Sequence, residues 1–576
     1  MRSILRDGRA WQLAPIPDEK LVESIHATLG CVRPFAILLA DRGASSWESL
    51  IDPGQDRFHS PFLFSNMERA IARLLVAIEG GERIFVHGDF DVDGLTGAAV
   101  LYRGLHPLLP PNTLKVAVGD RTNGHGLSRP FVLRAIEEQF GLVITVDCGI
   151  SNNAEIDALA AAGIDTIVTD HHIAQETLPG ATAIIDAHCD GETYPNHDLA
   201  GVGVAYKLIC ALYERLGKPV PAQLLDLVAL GTVADLVPLS SDGETENRAF
   251  VREAFSLIGR GEGSSQGLRI LLDKLSVNPA KISTSDIGYL VAPKLNAANR
   301  AGDPKVAFLL LITESSDQAE YLAEILLDYN RDREIAQNDM IAQAEAIIRE
   351  EKLDPSADGL SFVSGRYWNE GILGLVASNL TERFRVPSIV VSQGDRTSRG
   401  SCRSVGAFDI TACLEASSDL LLQYGGHRMA AGFSITNGQI PALRERLLTY
   451  VAQHRDELMH LAPERIDAQL EIQDVDLRFY TDLTALSPFG PGNTRPRFLL
   501  RDCTFSELTL VGNRKQHLKG QVSQHGASLP FIAFRMAKHL DRFEQTDPVS
   551  LVGYAGFDDW RGSVQIQGID LVTGVA

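Results

Sequence analysis

The sequence predicts an α/β protein in four parts: a parallel-sheet domain, a helical connector, a second, smaller α/β domain and a C-terminal β-barrel. Three observations carry that prediction. Short β-branched runs alternate with helical segments from Arg83 to Asp186, the βαβ pattern of a parallel sheet with right-handed crossovers, and a second α/β unit runs from Leu360 to Arg455. Residues 205–275 and 314–352 have helical spacing instead, with Ala319, Leu322, Ile325 and Leu326 on one stripe. After Pro463 come short alternating strands with Gly, Asp and Asn turns, such as Val564–Gln567, which suits a small barrel. A length of 576 residues agrees, since about 150 residues per domain implies roughly three or four domains.

In the first unit the strands are Ile84–Val86, Val143–Val146, Thr166–Thr169 and Ala183–Ile185. They are short and mostly non-alternating, as strands buried on both faces are. Helices are predicted over Gly97–Leu105, Pro130–Phe140 and Asn153–Ala162, and a further one over Ala222–Leu230. In the second unit Leu360–Val363 and Ser388–Val391 are strands around a helix from Ile372 to Phe384.

Composition narrows the class. With 45% hydrophobic and 22% charged residues the chain can bury sizeable cores and is not of disordered type. The N-terminus breaks its apolar residues with Arg2, Arg6, Asp7 and Arg9, so it has no signal-peptide core. No run approaches the roughly 20 apolar residues of a membrane span. The seven cysteines form no CxxC pair, and the cytoplasm is the expected compartment. A net charge of −21 argues, taken alone, against nucleic acid, but metal-ligating carboxylates would be offset by their cations and net charge does not describe local patches. One basic stretch holds Arg495, Arg497, Arg501, Arg514, Lys515, His517 and Lys519, with Asp502 and Glu507 as its acids. It reads either as a phosphate-tracking surface or as a solvated face.

Four clusters carry chemistry. His87-Gly-Asp-Phe-Asp-Val-Asp-Gly94 follows a strand and precedes a helix, bringing three acids and a histidine into one loop. These are hard oxygen and imidazole donors suited to divalent cations. Capping of the helix by Asp93 would explain only one of the three acids. Asp147 and then Asp170-His171-His172 stand at the ends of two further strands. Each is weak alone, but three strand ends of one parallel sheet deliver Asp and His to the edge where such folds bind ligands. Asp235, in Gly231–Pro238, sits in an otherwise apolar stretch, and burying an unpaired carboxylate is costly unless a metal or partner compensates.

Together these residues resemble the motifs of the DHH phosphoesterase superfamily, and the chain is similar throughout to its single-strand-specific 5′ exonucleases. The motifs are HGDFDVDG, VDCGIS, DHH and GTVADLVPL, continued by Pro293–Ala297, Gly400–Ser404, Gly425–His427 and Pro488–Asn493 in family order. The resemblance implies an N-terminal segment at 1–65, a DHH catalytic domain at 66–240, a helical connector at 241–350, a DHH-associated α/β domain at 351–456 and an OB-fold at 463–576. It implies two divalent cations, manganese preferred and magnesium also accepted. His87, Asp91 and Asp147 would hold one, Asp93, Asp147, His171 and Asp235 the other, with Asp89 a ligand or an orienting group. Asp170 would support the site, and His172 would contact the scissile phosphate and take part in protonating the leaving oxygen. Arg121, Arg300, Ser401, Arg403 and His427 would bind the 5′ phosphate and DNA backbone, and Arg514, Lys515 and Lys519 would bind DNA on the OB-fold. Phe505 or Trp560 would stack a base there if exposed.

The implied activity is 5′ to 3′ hydrolysis of single-stranded DNA to nucleoside 5′-monophosphates, in recombination and repair including mismatch repair. A helicase and a single-strand-binding protein are the implied partners, no membrane is involved and the enzyme acts as a monomer. Three positions depart from the family pattern: Asn369 stands where a histidine is usual after the tryptophan, Asn299 where glycine is common and His125 where tyrosine is common. The alternatives are a small-substrate phosphoesterase acting on oligonucleotides or pyrophosphate, and a catalytically silent scaffold, which would be expected to have lost ligands.

Overall fold

A computed structural model of the chain describes all residues except 6–8, 43–47, 52–56, 122–123, 175–176, 242, 460–461, 545–546 and 574–576. Its first sheet has five parallel strands in the order Leu114–Val118, Ile84–Gly88, Leu142–Val146, Asp165–Thr169, Ala183–Ile185. The strands Ile84–Gly88 and Leu142–Val146 are buried along their whole length, as their largely apolar runs require. Numbered along the chain, the order is 2-1-3-4-5, so it reverses between the strands that end at Gly88 and Val146. Ligands in open α/β sheets bind at the carboxyl ends of the strands flanking such a reversal. Asp89 and Asp147 follow those two ends.

Leu114–Val118 is the strand the sequence did not announce. It is the sheet's edge, half-exposed at every position and interrupted by Lys115, so it lacks a buried strand's apolar run. The first crossover helix begins at Val92, not Gly97, which places Asp93 inside it. The helices Gly201–Arg215 and Leu224–Ala234 pack on this helix and share its core.

The connector continues through Glu246–Gly259, Gln266–Lys274 and a π-helical turn at Ile287–Val291 into Ala292–Ala301 and Pro304–Ile312. It ends in one 35-residue helix, Ser316–Glu350, roughly 50 Å long at 1.5 Å per residue. The second sheet is mixed. Ser361–Arg366 and Ser388–Gln393 are parallel, and Thr397–Arg403, Ala430–Thr436 and Leu421–His427 extend it antiparallel in that order. At the C-terminus Phe498–Val511, His517–Gln524, Ala527–Ala533, Ser563–Thr573 and Val549–Asp558 each pair with the next and the last returns to the first. That closure makes a five-stranded barrel of OB type.

The N-terminal segment packs against this barrel. Arg2–Ser3 pairs with the barrel's last strand, Trp11 donates its buried indole N–H to Asp570 (2.8 Å), and Phe35 and Leu38 share a core with Phe479 and Phe498. Both chain ends therefore stabilise one domain. The buried Arg248 guanidinium ties the connector to this assembly by donating to the carbonyls of Leu50, Ala485 and Ser487 (2.5–3.3 Å). Among the described residues, no helix is long and apolar enough to cross a membrane.

Candidate metal centre and phosphate pocket

The carboxyl edge of the first sheet gathers the Asp and His residues predicted from sequence. Ligand atoms of Asp89, Asp91 and Asp147 lie within 4.8 Å of one another, as do those of Asp93, His171 and Asp235, and those of Asp147, His171 and His172. His171 Nε2 is 3.1 Å from Asp147 Oδ1, 3.7 Å from Asp93 Oδ2 and 3.8 Å from Asp235 Oδ2. Asp147 thus joins two neighbouring clusters.

Local folding explains how these groups are held. Asp91 caps the helix Val92–Leu105 by accepting from the Asp93 and Gly94 amides (3.0 and 3.2 Å), so the cap belongs to Asp91 and not to Asp93. Asp93 instead accepts from Gly201 N and Val202 N (2.7 and 2.8 Å) at the start of the next packed helix, whose positive end favours an anion. Gly201 is required there, because a Cβ would come within 2.7 Å of Asp147 Cβ. Asp147 itself adopts φ +60°, a conformation that Asp tolerates better than most residues and that recurs at functional sites. Asp235 follows the last residue of Leu224–Ala234, and Leu236 beside it has φ +63° with an exposed side chain.

Asp170 plays a different part. It is buried and accepts from the Ile150, His171 and His172 amides (2.9, 2.8 and 3.2 Å) and from His172 Nδ1 (2.8 Å). It orients the His172 imidazole and holds that pKa up, to about 9. His87 is buried, with Nε2 on the Gly126 carbonyl (3.2 Å) and Nδ1 unpaired. The structure groups Asp89, not His87, with Asp91 and Asp147. Asp89 has one buried unpaired oxygen, and its other oxygen lies 2.8 Å from His125 Nδ1.

The electrostatics are unbalanced. Burial, then repulsion from neighbouring carboxylates, pushes Asp93 and Asp147 well above the usual carboxylate range. Asp91 is raised for the same reasons, and burial takes Asp235 up to about 7. Burial pushes His87 and His171 down to about 4, which keeps both rings neutral and available as ligands. Divalent cations would satisfy this donor set of oxygens and neutral imidazoles, and would supply the missing positive charge.

Stability of the metal-free protein should respond with a definite sign. A group whose pKa is raised by folding stabilises below its unfolded value, and that stability is lost as pH rises through the folded value. Asp91, Asp93, Asp147, Asp235 and His172 all act this way, while His87 and His171, with lowered values, oppose them only below 6.5. Thermal melts in chelator are therefore expected to show Tm falling from pH about 6.5 to 9, with Mn2+ flattening the profile. A chelated protein whose Tm rises over that range would contradict the assignment of these groups.

Beside the acidic clusters lies a cationic cavity of about 900 Å³, lined by Phe90, Arg121, His125, Arg300, Asn369 and Ser401 among others. Arg121 lies over the Phe90 ring (4.8 Å) with Nε buried and unpaired. Arg300 donates to the Gly371 carbonyl (2.7 Å), and its pKa is pushed down to about 10 by burial and by the nearby charges of Arg121, Arg333 and Arg403. Arg403 Nη1 contacts Ser401 Oγ at 3.4 Å. Arg121 and Arg300 line the cavity and Arg403 stands beside its lining residue Ser401, a concentration of positive charge suited to an anion. His427 is exposed at the end of the edge strand, in register with Ala430, which pairs in turn with Arg403.

The departures from the family pattern are accommodated here. Asn369 accepts from Gly371 N (2.8 Å) and donates to the Arg300 carbonyl (3.4 Å), and Asn299 donates to the Phe90 carbonyl (2.7 Å). These amides brace the cavity wall. Thr122 and Asn123, in the same motif as Arg121, lie outside the described residues.

A second cavity of about 600 Å³ shares Arg300 and runs past Leu236, Val237, Tyr289 and Leu375 to Phe489 and Pro491. On the barrel, Arg514 and Lys515 are exposed, whereas Lys519 is paired with Asp558 (3.1 Å). Of the earlier basic residues, Arg495 donates to the Ala555 carbonyl, Arg497 pairs with Glu464 and Arg501 donates to Gln469. Most of that stretch is thus engaged within the protein. Phe505 packs on Phe531 and Phe543 in the barrel core, while Trp560 is 87% exposed at a hairpin tip.

Residues 83–232 match the DHH family N-terminal domain, 359–453 the DHHA1 domain and 466–569 the RecJ OB domain. The chain is 32% identical to the single-stranded-DNA-specific exonuclease RecJ of Salmonella typhimurium, over 98% of this chain and 97% of that protein. It is 31% identical to the Bacillus subtilis enzyme of the same name, over 97% of this chain and 70% of that protein. The crystal structure of RecJ from Thermus thermophilus in complex with Mn2+ superposes with a TM-score of 0.83 at 29% identity, over 99% of this chain and 80% of that one. The Mg2+ complex of that protein gives 0.77 at 28% identity, over 99% and 79%. With two relatives above 30% identity over most of both chains, and all three domains present in order, the chain belongs to the RecJ family of single-stranded-DNA-specific exonucleases.

Proposed function

We propose that this metal-dependent, single-stranded-DNA-specific exonuclease removes nucleoside 5′-monophosphates from the 5′ end of the strand. One observation carries the reading: an anionic cluster suited to divalent cations adjoins a cavity lined by Arg121 and Arg300 with Arg403 beside it on Ser401, and Arg300 lines both this cavity and the one that leads on to the barrel. The terminal 5′ phosphate would sit against Arg121, Arg300, Ser401, Arg403 and His427, with the scissile linkage over Asp147 and the strand continuing toward Phe489 and the OB-fold. Shape then selects single strands.

Asp89, Asp91 and Asp147, with His87, would hold one cation, and Asp93, Asp147, His171 and Asp235 the second, manganese preferred and magnesium accepted. When bound, such cations acidify water for attack on phosphorus and neutralise charge on the phosphoryl oxygens. Asp170 holds the His172 ring, and its carboxylate keeps that imidazole protonated at neutral pH. His172 can therefore donate to a phosphoryl oxygen or deliver a proton to the leaving 3′ oxygen. The arginines fix the 5′ end so that the first linkage is presented in line, and Asn369 and Asn299 brace that grip.

The domain limits are assigned as 66–240, 241–350, 351–456 and 463–576, with residues 1–65 as the N-terminal segment; Arg514, Lys515 and Lys519 are assigned to DNA on the barrel. Family membership supports a cytoplasmic monomer acting in recombination and repair, including mismatch repair, alongside a helicase and a single-strand-binding protein.

Substrate class is tested by comparing hydrolysis of a single-stranded oligonucleotide, a dinucleotide and pyrophosphate in Mn2+. The oligonucleotide is expected to be degraded at the highest kcat/KM. Preference for the dinucleotide or pyrophosphate would favour a small-substrate phosphoesterase, and inertness toward all three a scaffold.

A further inference from the structure

The sheet edge uses one device twice. Asp170 follows the strand Asp165–Thr169, and its Oδ1 accepts from the backbone amide (3.2 Å) and Nδ1 (2.8 Å) of the histidine two residues on, His172. The adjacent strand Ala183–Ile185 is followed by Asp186, whose Oδ1 accepts from the amide of His188 (2.8 Å) and lies 3.4 Å from His188 Nδ1. The two strands are neighbours in parallel register, Thr169 beside Ile185, and the Asp170 amide donates to the Ile185 carbonyl (3.1 Å). Asp186 is completely buried, with Oδ2 unpaired, while the His188 side chain is 31% exposed.

Burying a carboxylate with an unpaired oxygen is costly, and holding one half-exposed imidazole is little return in stability. The same geometry at Asp170 serves to orient the ring that faces the scissile phosphate. We propose that His188, oriented by Asp186, is a further DNA-contacting residue that donates from Nε2 to a backbone phosphate adjoining the scissile one. The electrostatics agree: Asp186 raises the His188 pKa, and His172 lies close enough to weigh against it. A row of donors then crosses the sheet edge from Arg121 through His172 to His188. The proposal rests on the reading of this edge as the nuclease site.

The test pairs a protein change with a substrate change. Single-stranded DNA carrying a 5′ phosphate and one neutral methylphosphonate, moved linkage by linkage from the scissile position, is degraded in Mn2+ by wild type and by His188→Asn. Equilibrium binding of the same strands is measured by fluorescence anisotropy in chelator. For the unmodified strand the variant is expected to lose roughly tenfold in kcat/KM, the scale of a charge-assisted hydrogen bond. At one linkage beside the scissile one, the methylphosphonate should cost wild type a similar factor and the variant nothing further, with the same non-additivity in binding. Asp186→Asn should weaken that coupling while leaving His188 in place. Equal losses for wild type and His188→Asn at every linkage would overturn the proposal alone, whereas a wild type that does not degrade the unmodified strand would overturn the nuclease reading with it.

Discussion

Asp147→Asn is expected to lower the rate of single-strand degradation by on the order of 10³-fold or more while raising the Tm of the metal-free protein by about 2–4 °C. The two signs have one cause. Asp147 contributes to two of the three ligand clusters and is raised in pKa by burial and then by Asp93, Asp91, Asp89 and Asp170. The neutral amide removes that repulsion, so the fold gains what the site loses. Asparagine also tolerates φ +60° at this position and fits the space beside Gly201, where a bulkier side chain would collide. Rate measurement in Mn2+ and thermal melts in chelator check the pair. A variant that keeps its activity, or that melts below wild type, would contradict the assignment of Asp147.

The second large effect concerns the arginine cavity. Arg403→Ala is expected to reduce kcat/KM on 5′-phosphorylated strands by about 10²-fold, the loss typical of a bidentate guanidinium–phosphate contact. On 5′-hydroxyl strands the loss should be much smaller. Arg403→Lys should restore little, since an ammonium supplies charge without the planar fork. Because the hydrogen bonds of the Arg403 side chain are to Ser401 Oγ and the Cys402 carbonyl, both close by in the same strand, the variant should fold normally. Equal losses on both substrates would remove Arg403 from 5′ phosphate recognition.

Much of this was legible in the sequence because the physics is local. Buried parallel strands must be apolar along their length, so Ile84–Val86, Val143–Val146 and Thr166–Thr169 announce themselves, and the Asp and His residues that follow them fall on the ligand-binding edge by the topology of the sheet. The strand Leu114–Val118 was hidden because an edge strand is half-exposed and needs no such run. Asp186 and His188 escaped notice although the signal was present: a carboxylate at a strand end with a histidine two residues on, as in Asp170-His171-His172. The packing of the N-terminal segment against the barrel depends on pairings between opposite ends of the chain, such as Trp11 with Asp570, which no local periodicity encodes. The basic stretch from Arg495 to Lys519 looked like one surface because charge is readable and pairing is not. Glu464, Gln469 and Asp558, distant in sequence, take up three of its cations.

The most direct test of the account is nucleotide release from DNA labelled at one end or the other, as single strand and as blunt duplex, by the wild-type protein in Mn2+. The account predicts that the 5′ label leaves first, as a mononucleotide from the single strand only, while the 3′ label remains on a shortening strand. Early loss of the 3′ label, or equal digestion of blunt duplex, would contradict the placement of the 5′ end among Arg121, Arg300 and Arg403.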